Sequence, residues 1–173
     1  MADLSEPLRT MKRILILLLA LMPSIIRAQG FIVDNEEKSV SWSKIYDTTM
    51  SQEDIYKAIL AYDVLNNVVM YDNIIAGDIP PVRLDYESLG YSRMRLPLFL
   101  TNDRFGARLV LIFKDGRYKA QAHNMYFVGE AGSITSGKTP IYTYTDVNFK
   151  EAPRIISTFL EGLTTFAPMD EEW

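Results

Sequence analysis

Cysteine is absent from the 173-residue chain. That excludes a disulfide scaffold, a thiolate metal site, a cysteine nucleophile and a lipidated cysteine behind a leader. Histidine occurs once, at His123, so a histidine-rich metal centre is excluded as well. No apolar run reaches the about 20 residues that a membrane-crossing helix needs. The longest, Ile14 to Met22, follows the basic pair Lys12-Arg13. With Pro23 and then Ile26-Arg27-Ala28 behind it, this stretch reads as a secretory signal peptide over residues 1–28, cut after Ala28. Met11 opens a more typical leader than Met1 and is a candidate start. Basic excess is missing too. Residues 1–28 hold four of the 18 basic and two of the 22 acidic residues, so the mature chain carries 14 and 20, a net charge of −6. A general nucleic-acid role, which needs a basic surface, does not fit. The expected protein is exported, periplasmic or extracellular, and held together by its core alone.

What is present is apolar and patterned. Hydrophobic residues make up 48% of the chain, which argues against intrinsic disorder. The plainest signal is Phe105 to Val128, two alternating runs joined at Asp115-Gly116. An Asp-Gly link of two residues predicts a type I′ hairpin turn, because both central positions need positive φ. Lys114 then pairs with Arg117. One face carries Phe113, Leu111, Leu109 and Ala107 opposite Tyr118, Ala120, Ala122 and Asn124, and reads as core. The other carries Lys114, Ile112, Val110 and Arg108 opposite Arg117, Lys119, Gln121 and His123.

Around this hairpin, Phe31–Val33 and Ser39–Tyr46 read as strands flanking a polar turn. A helix starts after Ser51, with Asp54 completing a capping box and Met50 stapling to Ile55. Its apolar stripe is Ile55, Ala58, Ile59, Tyr62 and Leu65, and Asn66-Asn67 ends it. Val68–Tyr71 and Asn73–Ala76 are strand-like, Asp78-Ile-Pro-Pro81 interrupts, and Val82–Tyr86 resumes an edge. Met94–Thr101 is read as extended, at an edge or bulge because of Pro97. Gly129–Pro140 is a loop and Ile141–Thr145 β-like. A second helix over Glu151–Leu163 has its start set by Pro153 and is lined by Ile155, Ile156, Phe159, Leu160 and Leu163. No repeat or linker breaks residues 29–173, which form a single α+β domain: a curved antiparallel sheet with two helices on one face.

The helix text Met50-Ser-Gln-Glu-Asp-Ile-Tyr-Lys57 and the hairpin text Phe113-Lys-Asp-Gly-Arg-Tyr-Lys119 resemble a family of secreted Bacteroidetes proteins. That family is a domain of unknown function with a TBP-like fold. The resemblance spans roughly Ser39 to Val128. It implies a fold and a compartment, and no activity, substrate or site residue.

Chemistry-bearing constellations are few, and no catalytic motif or cofactor site emerges. Gly132 to Thr139 has P-loop spacing, which would make the chain a phosphate binder, but a P-loop must open into a helix and Pro140 follows here. Glu53 and Asp54 suit the first turn of a helix, and Asp170-Glu171-Glu172 a solubilising tail. A hydrolase with a site of dispersed carboxylates stays open, since such pairs leave no local signature. Tyr86, Tyr91, Tyr142 and Tyr144 are candidates for a ligand groove or for sheet-edge packing. The remaining candidate is the second hairpin face, Arg108, Val110, Ile112, Lys114, Arg117, Lys119 and His123. An open sheet face with apolar centres and basic rims suits an anionic or acidic partner: a protein, a peptide or an envelope component. The alternative is an ordinary solvent face.

Overall fold

The computed structural model describes residues 30–34, 36–129, 137–144 and 151–166. The expected signal segment, most of the Gly129–Pro140 loop and the acidic tail lie outside the described residues. The chain runs β1 (Gly30–Asp34), β2 (Ser39–Asp47), α1 (Gln52–Tyr62), β3 (Asn66–Tyr71) and β4 (Ile74–Val82). A 3-10 turn (Arg93–Arg95) and the short helix α2 (Leu98–Asn102) follow. Next come β5 (Arg104–Lys114), β6 (Arg117–Val128), β7 (Lys138–Pro140), a second 3-10 turn (Ile141–Tyr144) and α3 (Ala152–Thr164). The seven strands make one open antiparallel sheet in the order β1-β2-β6-β5-β4-β3, with β7 paired to the far end of β6. The fold is α+β.

The predicted hairpin is its centre. Asp115 and Gly116 have φ of 42° and 72°, as a type I′ turn requires. Lys114 faces Arg117, and the predicted pairs hold outward to Arg108 opposite His123. There the register shifts. Asn124 adopts a left-handed φ of 49° and bulges out, so Gly106 meets Tyr126. Beyond the bulge the core face passes from even to odd numbers, and Met125 and Phe127 are buried where Asn124 was expected.

Both long helices cover the same face. Ile55, Ala58 and Ile59 of α1 and Ile155, Ile156 and Leu160 of α3 join Leu109, Leu111, Tyr118, Ala120 and Ala122 in one core. Burying a side chain such as Leu111 contributes about 1.5–3 kcal/mol. Polar bonds fix α3 over β2: Trp42 Nε1 donates to Ser157 Oγ at 2.9 Å, and Lys44 pairs with Glu161 at 2.8 Å. The Ser51–Asp54 capping box is complete.

Four boundaries differ from the sequence reading. Helix α1 stops at Tyr62, capped by Asp63 in the left-handed region, so Tyr62 is exposed and Leu65 reaches the core from the connection. Strand β4 runs through Asp78 to Val82, while Val82–Tyr86 resumes no edge strand. Pro80 and Pro81 are tolerated because β3 pairs no further than Asp78 and the β5 register is broken there. Residues 94–101 fold into a 3-10 turn and helix α2, with Pro97 before the first helical turn, a position that needs no N–H. Ile141–Tyr144 is a 3-10 turn instead of a strand.

Candidate binding face of the sheet

With both long helices on one side, the other side of the hairpin faces outward. The register lines it with two rows that cross the strands. Tyr71, Ile74, Ile112, Lys119 and Ile45 stand side by side in one; Val69, Ala76, Val110, Gln121 and Ser43 form the next. Three of the four outer members stay uncovered, Tyr71 at 55% exposure, Val69 at 45% and Ile45 at 37%, while Ser43 is buried. An apolar belt therefore crosses the sheet, broken by Lys119, Gln121 and Ser43. The seven residues singled out from the sequence all stand on this face, although the pairing divides them into three settings.

At the hairpin end, Lys114, Arg117 and Lys119 form no ion pair with another described residue, and Asp47 stands opposite Arg117. In the middle, burial and then Lys119 hold the His123 imidazole below its ordinary pKa. His123 is consequently neutral at pH 7 and adds no charge to the face. At the far end Arg108 is not a free cation: its Nη1 lies 2.8 Å from Asp78 Oδ1. Asn67 Nδ2 donates to the other oxygen at 2.9 Å. The Arg108 bond first, and the Asn67 bond second, hold the Asp78 carboxyl below the usual range. The face is thus less basic than its sequence suggests, and the positive charge that has no ion pair among the described residues is gathered at the hairpin tip.

Beside Arg108 the sheet opens into a polar concavity of about 490 Å³ that the sequence reading missed. Three irregularities meet there. The β3–β4 register shifts after Asn66 with Asn67 at φ 51°, the β4–β5 register shifts after Ile79, and the β5–β6 register shifts at Asn124. Each bulge re-aims side chains into the gap. The Tyr126 ring crosses Gly106 so closely that a Cβ on Gly106 would stand 2.6 Å from the ring, hence glycine. Lys138 Nζ sits 4.6 Å from the centre of that ring. Asn67 and Asn124 were the available signal, since asparagine tolerates positive φ; three shifts in neighbouring strand pairs cannot be read along one chain.

The other candidates disperse. Lys138 and Thr139 belong to strand β7 and lead into a 3-10 turn, which rules out the strand–loop–helix of a P-loop. Glu53 pairs with Lys57 at 3.0 Å and Asp54 serves the cap. Tyr86, Tyr91 and Tyr142 are half-buried against the core, and the Tyr91 hydroxyl donates to Glu151 at 3.1 Å; the Tyr144 side chain lies outside the described residues. Among the described residues no group of three His, Asp or Glu could hold a metal, and no helix is long and apolar enough to cross a membrane.

No family model matches the sequence, and no curated protein does. Two solved structures are similar to the chain. One is a TBP-like protein from Parabacteroides distasonis, 16% identical over 76% of this chain and 91% of that one, with a TM-score of 0.49. The other is a DUF4468 family protein from Bacteroides ovatus, 16% identical over 76% of this chain and 85% of that one, with a TM-score of 0.45. Both come from the Bacteroidetes. The likeness is one of fold alone.

Proposed function

We propose that the chain is an exported, non-enzymatic module that binds a protein, peptide or envelope component through the open face of its sheet. The observation that carries this is the outward belt of Tyr71, Ile74, Ile112 and Ile45, which runs beside the unpaired cations Lys114, Arg117 and Lys119. An apolar belt with charge of one sign at one end suits a partner whose apolar patch is flanked by acidic groups. The leader-like segment Lys12 to Ala28 supports export, and the cysteine-free composition needs no oxidative folding there.

The test is a pull-down from envelope extract with the mature chain and its Arg117→Glu/Lys119→Glu variant, both checked for folding by circular dichroism. The expected result is a partner retained by the wild type, lost by the variant and weakened by salt, since rim charges set encounter rate and salt dependence. A folded variant that recovers the same partners in the same amounts would overturn the reading.

A further inference from the structure

The concavity at the bulged end has a chemistry of its own. Its one carboxylate, Asp78, has both oxygens engaged, by Arg108 Nη1 and Asn67 Nδ2. What remains to face a ligand is rich in donors. Arg108 commits only Nη1 to Asp78 and carries further N–H groups. Lys138 extends over Tyr126 with its ammonium exposed. Asn66, Asn67 and Asn124 bring three amides, of which, among the described residues, only one N–H of Asn67 is committed. Counting Arg108, Lys138 and Asp78, the site has a formal charge of +1. The Asn67 and Asn124 backbones are held in left-handed conformations that set their side chains at the concavity.

We infer that this concavity is a binding site for a small polar molecule that carries one oxyanion, a carboxylate or a phosphate, on a hydroxyl-bearing body. The oxyanion is placed by the Lys138 ammonium and by the N–H groups that Arg108 does not commit to Asp78. The hydroxyls are placed by the asparagine amides, each of which donates and accepts. The volume, about 490 Å³, lies within the ~300–1,000 Å³ of small-ligand sites and far exceeds the ~30 Å³ share of one water. A bare anion leaves most of it empty. The site stands apart from Lys114, Arg117 and Lys119, so it holds or fails independently of the partner face.

Backbone-amide NMR titration of the mature chain tests this with four probes: glucuronate, glucose 6-phosphate, inorganic phosphate and glucose. The expected result is a saturable shift at the Asn67, Asn124 and Lys138 amides with glucuronate or glucose 6-phosphate, and none with glucose. Whichever of the two binds more tightly identifies the oxyanion. Lys138→Gln, an exposed change that leaves the core untouched, should weaken that binding about tenfold, while Arg117→Glu/Lys119→Glu leaves it unchanged. The inference is overturned if no anionic probe saturates, if glucose binds equally well, or if Lys138→Gln binds like the wild type. Inorganic phosphate binding as tightly as glucose 6-phosphate would remove the hydroxyl-bearing body from it.

Discussion

Tyr118 is where the hairpin, helix α3 and the chain beyond it are tied together, and replacing it by phenylalanine separates a single oxygen from the packing. The ring stacks on Tyr46 at 5.1 Å and lies 5.5 Å from Phe113 and 6.0 Å from Phe166, contacts a phenylalanine keeps. The hydroxyl is buried. It donates to the Thr164 carbonyl at 2.6 Å, one of the carbonyls a helix end leaves without a partner. Tyr118→Phe leaves that carbonyl unpaired in a buried place, which costs about 1–3 kcal/mol, partly offset because no hydroxyl has to be dehydrated. A net loss of about 2 kcal/mol at pH 7 is expected.

The same hydroxyl makes the loss depend on pH. Burial pushes the Tyr118 pKa up to about 12, against an ordinary value of 10.0. The folded-state pKa is the higher one, so the contribution is complete below pH 10 and is lost as pH rises toward 12. Between those values the unfolded chain releases the proton while the folded chain keeps it. By pH 11 this removes about 1.4 kcal/mol from the wild type and nothing from the variant. Urea unfolding of both proteins at pH 7 and pH 11 reads the effect, and the difference cancels the other nine of the ten tyrosines. The advantage of the wild type should shrink by more than half. Equal stabilities at pH 7, or a difference that stays constant up to pH 11, would refute the reasoning.

Two further outcomes follow from the local chemistry. Ser51→Ala removes the cap of α1 and should cost about 1 kcal/mol in urea unfolding; the Asp54 carboxyl, held low first by the Ser51 hydroxyl and then by its N–H, should rise toward its ordinary value in a carbon-detected NMR titration. His123 titrates below 6.5 because of burial first and Lys119 second, so its contribution to stability is complete above pH 6.5 and is lost on acidification as the unfolded chain takes up the proton first. Lys119→Met should move the His123 midpoint upward while leaving it below that of a free imidazole, which proton NMR of the ring checks.

The features legible in the sequence are those whose cause is local. Asp115-Gly116 demands its turn, Ser51 and Asp54 satisfy each other's backbone, and Pro153 can stand only in a first turn. The features that escaped have causes in another strand. Pro80 and Pro81 look like an interruption until it is known that β3 ends its pairing at Asp78. Leu96, Phe99 and Leu100 have helical spacing, and Pro97 between them hid it because the same residue suits an edge strand and a helix entry. Arg108 read as a free cation because Asp78 lies 30 positions away on a strand whose register no local pattern gives. The concavity is the extreme case, built from shifts in three strand pairs.

The two ends of the open face differ in how firmly they are held, and this bears on what each can recognise. At the tip, the Gly116 carbonyl accepts from the Thr48 N–H at 2.9 Å, and Phe113 exchanges bonds with Asn73, N to O at 2.8 Å and Nδ2 to O at 3.1 Å. Tyr118 anchors the same turn from beneath. The backbone under Lys114, Arg117 and Lys119 is therefore braced on both flanks and from the core. Bracing leaves little backbone entropy to lose on contact, although the long side chains still order at about 0.5–1.5 kcal/mol each. Such an arrangement favours recognition by the spacing of charge over a broad surface. At the bulged end the ladder is broken in three places, and side chains converge into a hollow instead of projecting from a plane. A plane with fixed charges suits a macromolecular partner and a hollow suits a small molecule. Asn73→Ala removes the side-chain half of the exchange with Phe113 and keeps the bond to the Asn73 carbonyl, so it should weaken capture of the partner slightly and leave the small-anion titration unmoved.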